Sequence, residues 1–256
     1  KKLDVNELKQ VFAVWQHALH EKGWNSLFWS NHDQPRIVSR MGDEGIYWKE
    51  SAKMLATCIH LLRGTPYIFQ GEEIGMTNPA FSNIQKFRDV ESLNYYEIMQ
   101  KEGKTKAEAL KTLNARSRDN GRTPMQWDNS TYAGFSDVTP WIDLPDNYQQ
   151  INVACEQQEE DSILHYYKKL IRLRKENPVI QEGDITFLHA DDVTLFAYQR
   201  TLGEKSMLVL NNLTKEEKKL AYPQDGFQKI LGNYTDIQKE QDALILRPYE
   251  SIVFAS

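Results

Sequence analysis

The chain has 256 residues, of which 40% are hydrophobic and 26% charged, and a formal net charge of -5 from 31 basic and 36 acidic side chains. That composition is ordinary for a folded globular protein and leaves room for one large domain or two modest ones. The acidic balance argues against nucleic acid as the main partner. No apolar run reaches the roughly 18 residues that a membrane span needs, and Cys58 and Cys155 lie too far apart for a Cys-x-x-Cys metal or redox motif.

Residues 6–21 place Leu8, Val11, Phe12, Trp15, Ala18 and Leu19 on one helical face, and Gly23 ends the helix. A short strand over 25–30 follows. The next helix is predicted over 48–62, with Met54, Leu55, Cys58, Ile59, Leu61 and Leu62 on its apolar side and Gly64 and Pro66 beyond its end. A second strand over 66–70 leads into Glu72 and Glu73. Helix, strand, helix, strand, with polar residues after each strand, is the order of an α/β fold with a parallel sheet. Two such strands cannot cover both faces of a sheet, so their edges call for neighbours.

Residues 74–160 carry little strand signal. A polar helix is predicted over about 103–117, set among long connections rich in Asn, Asp, Gly and Pro. Long ordered connections in a compact enzyme are often functional. Trp127, Phe135 and Trp141 in them read as packing anchors or as platforms for a sugar ring. Residues 162–176 form an amphipathic helix. Beyond Gly183 the pattern changes to short alternating runs, including Met207–Asn211, Gln228–Leu231, Ala243–Leu246 and Ser251–Phe254. The expected division is therefore 1–182 and an antiparallel β domain over 183–256. His189 with Asp191 and Asp192 reads as a turn rather than a metal site. Cys58 in an apolar helix suits a core thiol in a reducing, cytoplasmic compartment, and Lys1-Lys2-Leu3-Asp4 has no signal-peptide core.

The most specific stretch is Asn31-His32-Asp33-Gln34-Pro35-Arg36. It sets an amide, an imidazole and a carboxylate at the C-terminal end of the first strand, where Pro35 ends further pairing. Barrel enzymes carry catalysis at that end of their strands. With Phe69–Asn78, Phe87–Asn94 and Asn120–Asp128, this stretch resembles the α-amylase superfamily of glycoside hydrolases, in its exo-acting α-glucosidase branch. The resemblance covers nearly the whole chain.

The resemblance implies the C-terminal part of a (β/α)8 barrel, with 25–30 as strand seven and 66–70 as strand eight, followed by a β-sandwich domain. It implies hydrolysis of an α-glucosidic bond with retained configuration, which uses two carboxylates about 5–5.5 Å apart. Asp33 matches a third carboxylate that stabilises the transition state, and His32 matches a donor to the same sugar ring. Arg36, Arg88 and Arg122 are expected to bind substrate. Those three and Arg118 lie in candidate loops and could meet a phosphate or form buried ion pairs instead. The nucleophile and acid/base motifs do not occur in this chain. Glu72 and Glu73 match a structural feature rather than either of them. The expected partners are the N-terminal half of the barrel, or a second copy through open strand edges. The expected substrate is trehalose 6-phosphate, cleaved to glucose and glucose 6-phosphate, with oligo-1,6-glucosidase or dextran glucosidase action as the alternative. A non-catalytic carbohydrate-binding relative is a third reading. No motif implies a cofactor or a metal.

Overall fold

The computed structural model describes residues 4–223 and 226–256. The opening Lys1-Lys2-Leu3, read above for the lack of a signal core, lies outside the described residues. In chain order the elements are α1 (Val5–Ala18), β1 (Ser26–Leu27), α2 (Ile37–Met41), α3 (Trp48–His60), β2 (Thr65–Pro66), α4 (Val90–Lys101), α5 (Lys106–Arg116), α6 (Val153–Gln158), α7 (Ile163–Glu176) and α8 (Pro178–Glu182). Eight strands follow: β3 (Asp184–Leu188), β4 (Leu195–Leu202), β5 (Lys205–Asn212), β6 (Lys218–Ala221), β7 (Gln228–Gly232), β8 (Gln238–Glu240), β9 (Ala243–Leu246) and β10 (Ser251–Ala255). The chain divides into two compact units.

The first unit holds the chain up to Leu27, Met41–Tyr67 and Tyr166–Ser256. The expected strands are present but short. β1 and β2 pair in parallel, Ser26 opposite Thr65 and Leu27 opposite Pro66. The Thr65 and Tyr67 amides extend the ladder by donating to the Asn25 and Leu27 carbonyls, each at 2.7 Å. Among the described residues each of these strands has one paired neighbour, which limits how far a regular ladder can run. Gly64 permits the approach to β2. Its φ is +140°, and a Cβ there would meet the Asn25 carbonyl at 2.6 Å.

β3 to β10 form a five-stranded sheet in the order β3-β4-β5-β10-β7 and a three-stranded sheet in the order β6-β9-β8. All their pairings are antiparallel. Leu195, Ala197, Leu210, Ile252 and Phe254 from the larger sheet share a core with Leu244 and Leu246 from the smaller one. That is the interdigitation that holds two sheets face to face. The polar strands β6 and β8 flank β9 and lie outside the predicted runs.

α3 is buried on every side from Ser51 to His60, not on one stripe. Arg174 in α7 donates to the carbonyls of His60, Leu62 and Gly64, satisfying the C-terminal end of α3 and the turn after it. α1 departs further from expectation. Its buried side carries Val5, Lys9 and Gln16. Lys9 donates to the carbonyls of His189 (2.8 Å) and Asp192 (2.6 Å), and Gln16 pairs with the Arg63 backbone. The predicted apolar face divides: Val11 and Trp15 are 51% and 52% exposed, whereas Leu8, Phe12 and Leu19 are half-buried and Phe12 packs edge-on against Phe196 at 5.5 Å.

The second unit comprises Phe28–Arg40 and Ile68–His165. Its core gathers Phe81, Phe87, Met99, Ala109, Leu113 and Ile142. α5 starts at a capping box between Thr105 and Glu108. The segment after Asp89 was expected to be loop and is helix α4. Asp89 is its N-cap, accepting the Ser92 amide at 3.0 Å. Only Ser92 and Met99 of α4 are buried, while Val90, Leu93, Tyr95 and Ile98 are exposed, so the sequence shows no clear apolar stripe.

Candidate active site

The polar loop after β1 is held in a compact turn. The Asn31 side-chain carbonyl accepts the Asp33 amide at 2.8 Å, and the Asn31 backbone carbonyl accepts the Gln34 amide at 3.2 Å. A second loop, Arg118–Arg122, packs directly on it. A Cβ on Gly121 would come within 2.6 Å of the Gln34 carbonyl and 2.9 Å of the Asn31 carbonyl, so glycine permits the approach. Arg122 then reaches across, its Nε donating to the His32 carbonyl at 2.9 Å and its Nη2 to Asp33 Oδ1 at 2.9 Å.

The Asp33 carboxylate is the hub. Oδ1 meets Arg122 and, at 3.8 Å, Arg118 Nη1. Oδ2 faces His32 Nε2 at 3.3 Å. The Asp33 side chain is 45% exposed and that of His32 73% exposed, so both remain open to a ligand. Arg118 continues the network from Nη2 to Asp89 (3.1 Å) and Glu91 (2.6 Å). Burial pushes the Asp89 carboxyl up, but bonds from the Ser92 hydroxyl and amide and the charge of Arg118 outweigh it and hold the group below its usual range. Burial also works against the Arg118 charge, yet Asp89 and Glu91 keep that guanidinium above its ordinary value. A cavity of about 390 Å³ opens beside these groups, lined by Asp33, Asp89, Glu91, Tyr95 and Arg118 among others. Three carboxylates, Asp33, Asp89 and Glu91, and the guanidiniums of Arg116 and Arg118 line it, with Arg122 adjoining Asp33. Arg118 and Arg122 are already engaged, so a phosphate on either would have to displace a carboxylate.

The predicted residues separate into two groups. His32, Asp33 and Arg122 come together. Arg118, Asp89 and Glu91 join them as one ionic network, a connection the sequence did not indicate. Arg88 turns elsewhere, donating to the carbonyls of Trp141 (3.0 Å) and Gln85 (2.6 Å). Arg36 is 1% exposed. Its guanidinium donates to the carbonyls of Gln70, Asn120 and Thr123 and to the Thr123 hydroxyl, and stacks 5.4 Å from the Phe69 ring centroid. It offers no surface to a sugar; it clamps the turn after β2 to the Arg122 loop. The buried structural role expected above as an ion pair is made with carbonyls instead.

Arg36 also faces Glu72 and Glu73. Burial pulls the guanidinium down to about 10, opposed by those two charges. Glu73 accepts the Gly71 amide at 2.7 Å. Glu72 is buried with neither oxygen in good hydrogen-bond geometry. Burial pushes its carboxyl up to about 7, and the nearby Ser30 hydroxyl and Arg36 charge offset that only in part.

Residues 1–183 match the family model described as "Alpha amylase, catalytic domain", and residues 195–253 match "Alpha-amylase SusG C-terminal domain". Over 252 residues the chain is 46% identical to an oligo-1,6-glucosidase of Bacillus cereus, covering 96% of this chain and 45% of that protein. It is 43% identical over 257 residues to the trehalose-6-phosphate hydrolase of Bacillus subtilis, covering 98% of this chain and 46% of that protein. The crystal structure of Bacillus licheniformis trehalose-6-phosphate hydrolase superposes with a TM-score of 0.95 at 48% identity, covering 100% of this chain and 47% of that one. The chain thus spans about half the length of the curated relatives it matches.

Proposed function

This chain belongs to the α-amylase family, and on that premise we propose that it is the C-terminal portion of a retaining α-glucosidase that hydrolyses trehalose 6-phosphate. β1 and β2 are the seventh and eighth strands of a (β/α)8 barrel, and residues 183–256 are the β-sandwich domain that follows residues 1–182. The observation that carries the reading is the Asp33 carboxylate. It sits half-exposed in the loop after β1, oriented by Arg122 on one oxygen and by His32 on the other.

In this role Asp33 accepts hydroxyl hydrogens of the terminal glucosyl ring. Those bonds strengthen as the ring flattens and gains positive charge, which lowers the barrier to its departure. His32 donates to the same ring. Arg122 fixes the carboxylate, so little reorganisation is needed during the reaction. The nucleophile and the acid/base come from sequence outside this chain, so this chain alone has no turnover. The exposed Val11 and Trp15 of α1 and the single pairing of β1 and β2 among the described residues support a covering partner, the N-terminal half of the barrel or a second copy.

The test is turnover by the complete polypeptide on trehalose 6-phosphate and on isomaltose, with and without Asp33→Asn. Preference for trehalose 6-phosphate, lost by about 100-fold or more in kcat when the carboxylate is removed, is the expected result. Preference for isomaltose moves the assignment to oligo-1,6-glucosidase, and activity on neither favours a carbohydrate-binding relative. Turnover by the pure, unpaired chain overturns the claim of inactivity.

A further inference from the structure

The segment between α1 and β1 helps build a second concavity, within the first compact unit. Trp24 is 48% exposed at its edge. The indole is fixed in place: Nε1 donates to Thr65 Oγ1 at 2.8 Å, and the Arg63 guanidinium lies 5.1 Å from the ring centroid. Arg63 is itself anchored by Nη1 to the carbonyls of Leu19 (2.8 Å) and Gly23 (3.0 Å). One side of the indole is thus covered by a cation with its own partners, and the residue as a whole remains 48% exposed. The cavity has a volume of about 470 Å³. His20, Gln181, Glu182 and Asp184 line it, and His20 Nε2 meets Asp184 Oδ1 at 3.0 Å.

The volume falls within the range of small-molecule sites, about 300–1,000 Å³. Carboxylates and an amide around a rigid aromatic face select the ligand. An apolar partner would strand the carboxylates without solvent. A phosphorylated one would meet acidic groups while the Arg63 cation is already engaged. A neutral pyranose satisfies both features: its C–H face lies on the indole, and its hydroxyls donate to Glu182 and Asp184 and bond to Gln181. The site shares no lining residue with the Asp33 cavity. Trp24 precedes β1 and Asp33 follows it.

We propose that the Trp24 concavity is an auxiliary binding site for a neutral glucosyl unit of an oligosaccharide or glucan. The choice of glucose rests on the proposed function; the existence of a second sugar site does not. The experiment is native electrophoresis of the complete protein through gels containing dextran or glycogen. Trp24→Ala, Glu182→Ala and Asp33→Asn are run beside the parent, and thermal melts check each fold. The parent is expected to be retarded, and Asp33→Asn, which disables the other site, is expected to keep the part of the retardation that the Trp24 site supplies. Trp24→Ala is expected to bind about tenfold more weakly, in line with the loss of one aromatic contact, and Glu182→Ala, an exposed change that leaves the Trp24–Arg63 stack intact, several-fold more weakly. Unchanged retardation in folded Trp24→Ala and Glu182→Ala, or no retardation of the parent, overturns the proposal. Loss confined to Asp33→Asn would place all glucan binding at the other site and overturn it too, while leaving the glucosidase reading standing.

Discussion

Arg36→Ala separates a structural clamp from a substrate contact. The side chain is 1% exposed and donates to three backbone carbonyls and one hydroxyl. A buried acceptor left without its donor costs about 1–3 kcal/mol. Glu72 and Glu73 also lose the guanidinium charge that offsets part of the cost of burying them. The two costs overlap, because the orphaned carbonyls relax together and Glu72 can take up a proton. A net loss of about 4 kcal/mol follows, and at about 2–4 °C per kcal/mol for a chain of this size Tm falls by about 8–16 °C. Arg36→Lys keeps the charge near Glu72 and Glu73 but cannot fork across Gln70, Asn120 and Thr123, so it should recover roughly half. Urea melts read the change as a lower midpoint with an unaltered slope. If Arg36→Ala stays within about 1 kcal/mol of the parent while sugar binding collapses, the clamp is refuted and Arg36 is a ligand residue.

Glu72 gives stability a pH dependence of definite sign. Its folded value, about 7, lies above the ordinary carboxyl value, so its burial is least costly when protonated and stability is lost as pH rises through about 7. Glu72→Gln should melt higher than the parent at pH 8 and close to it at pH 5; an equal difference at both would rule out titration as the cause. Arg174→Ala removes the donor shared by the His60, Leu62 and Gly64 carbonyls. It should cost about 2–4 kcal/mol, and a midpoint in urea unchanged from the parent would show that those carbonyls find other donors.

Much of this architecture was legible because its signals are local. α3 and α7 lie within a residue or two of their predicted limits at most ends, since apolar spacing at three and four residues requires no knowledge of the rest of the fold. β4, β5, β9 and β10 are visible from alternation of residues that fill one core. α4 escaped because it buries too little to leave a periodic stripe. β6 and β8 escaped because strands flanking a small sheet bury little; every residue of β8 is exposed. On α1 the periodicity was real, but the face it marked is only partly covered: Phe12 packs on Phe196 while Val11 and Trp15 stay exposed, and the buried positions include Lys9 and Gln16, made tolerable by the carbonyls they reach.

The sequence by itself determined the family, through Asn31-His32-Asp33 and the later loops, because residue types in order are all that such a resemblance needs. Which arginine does what was decided only by tertiary structure. Arg36 and Arg122 are the same side chain in neighbouring loops of one site. Arg36 finds its acceptors 34, 84 and 87 residues away and disappears into the loop that they form. Arg122 finds its carboxylate 89 residues away, in a group still half open to solvent. A guanidinium's partner is set by which distant carbonyls and carboxylates the packed chain brings within about 3 Å, and no local pattern in the sequence encodes that distance.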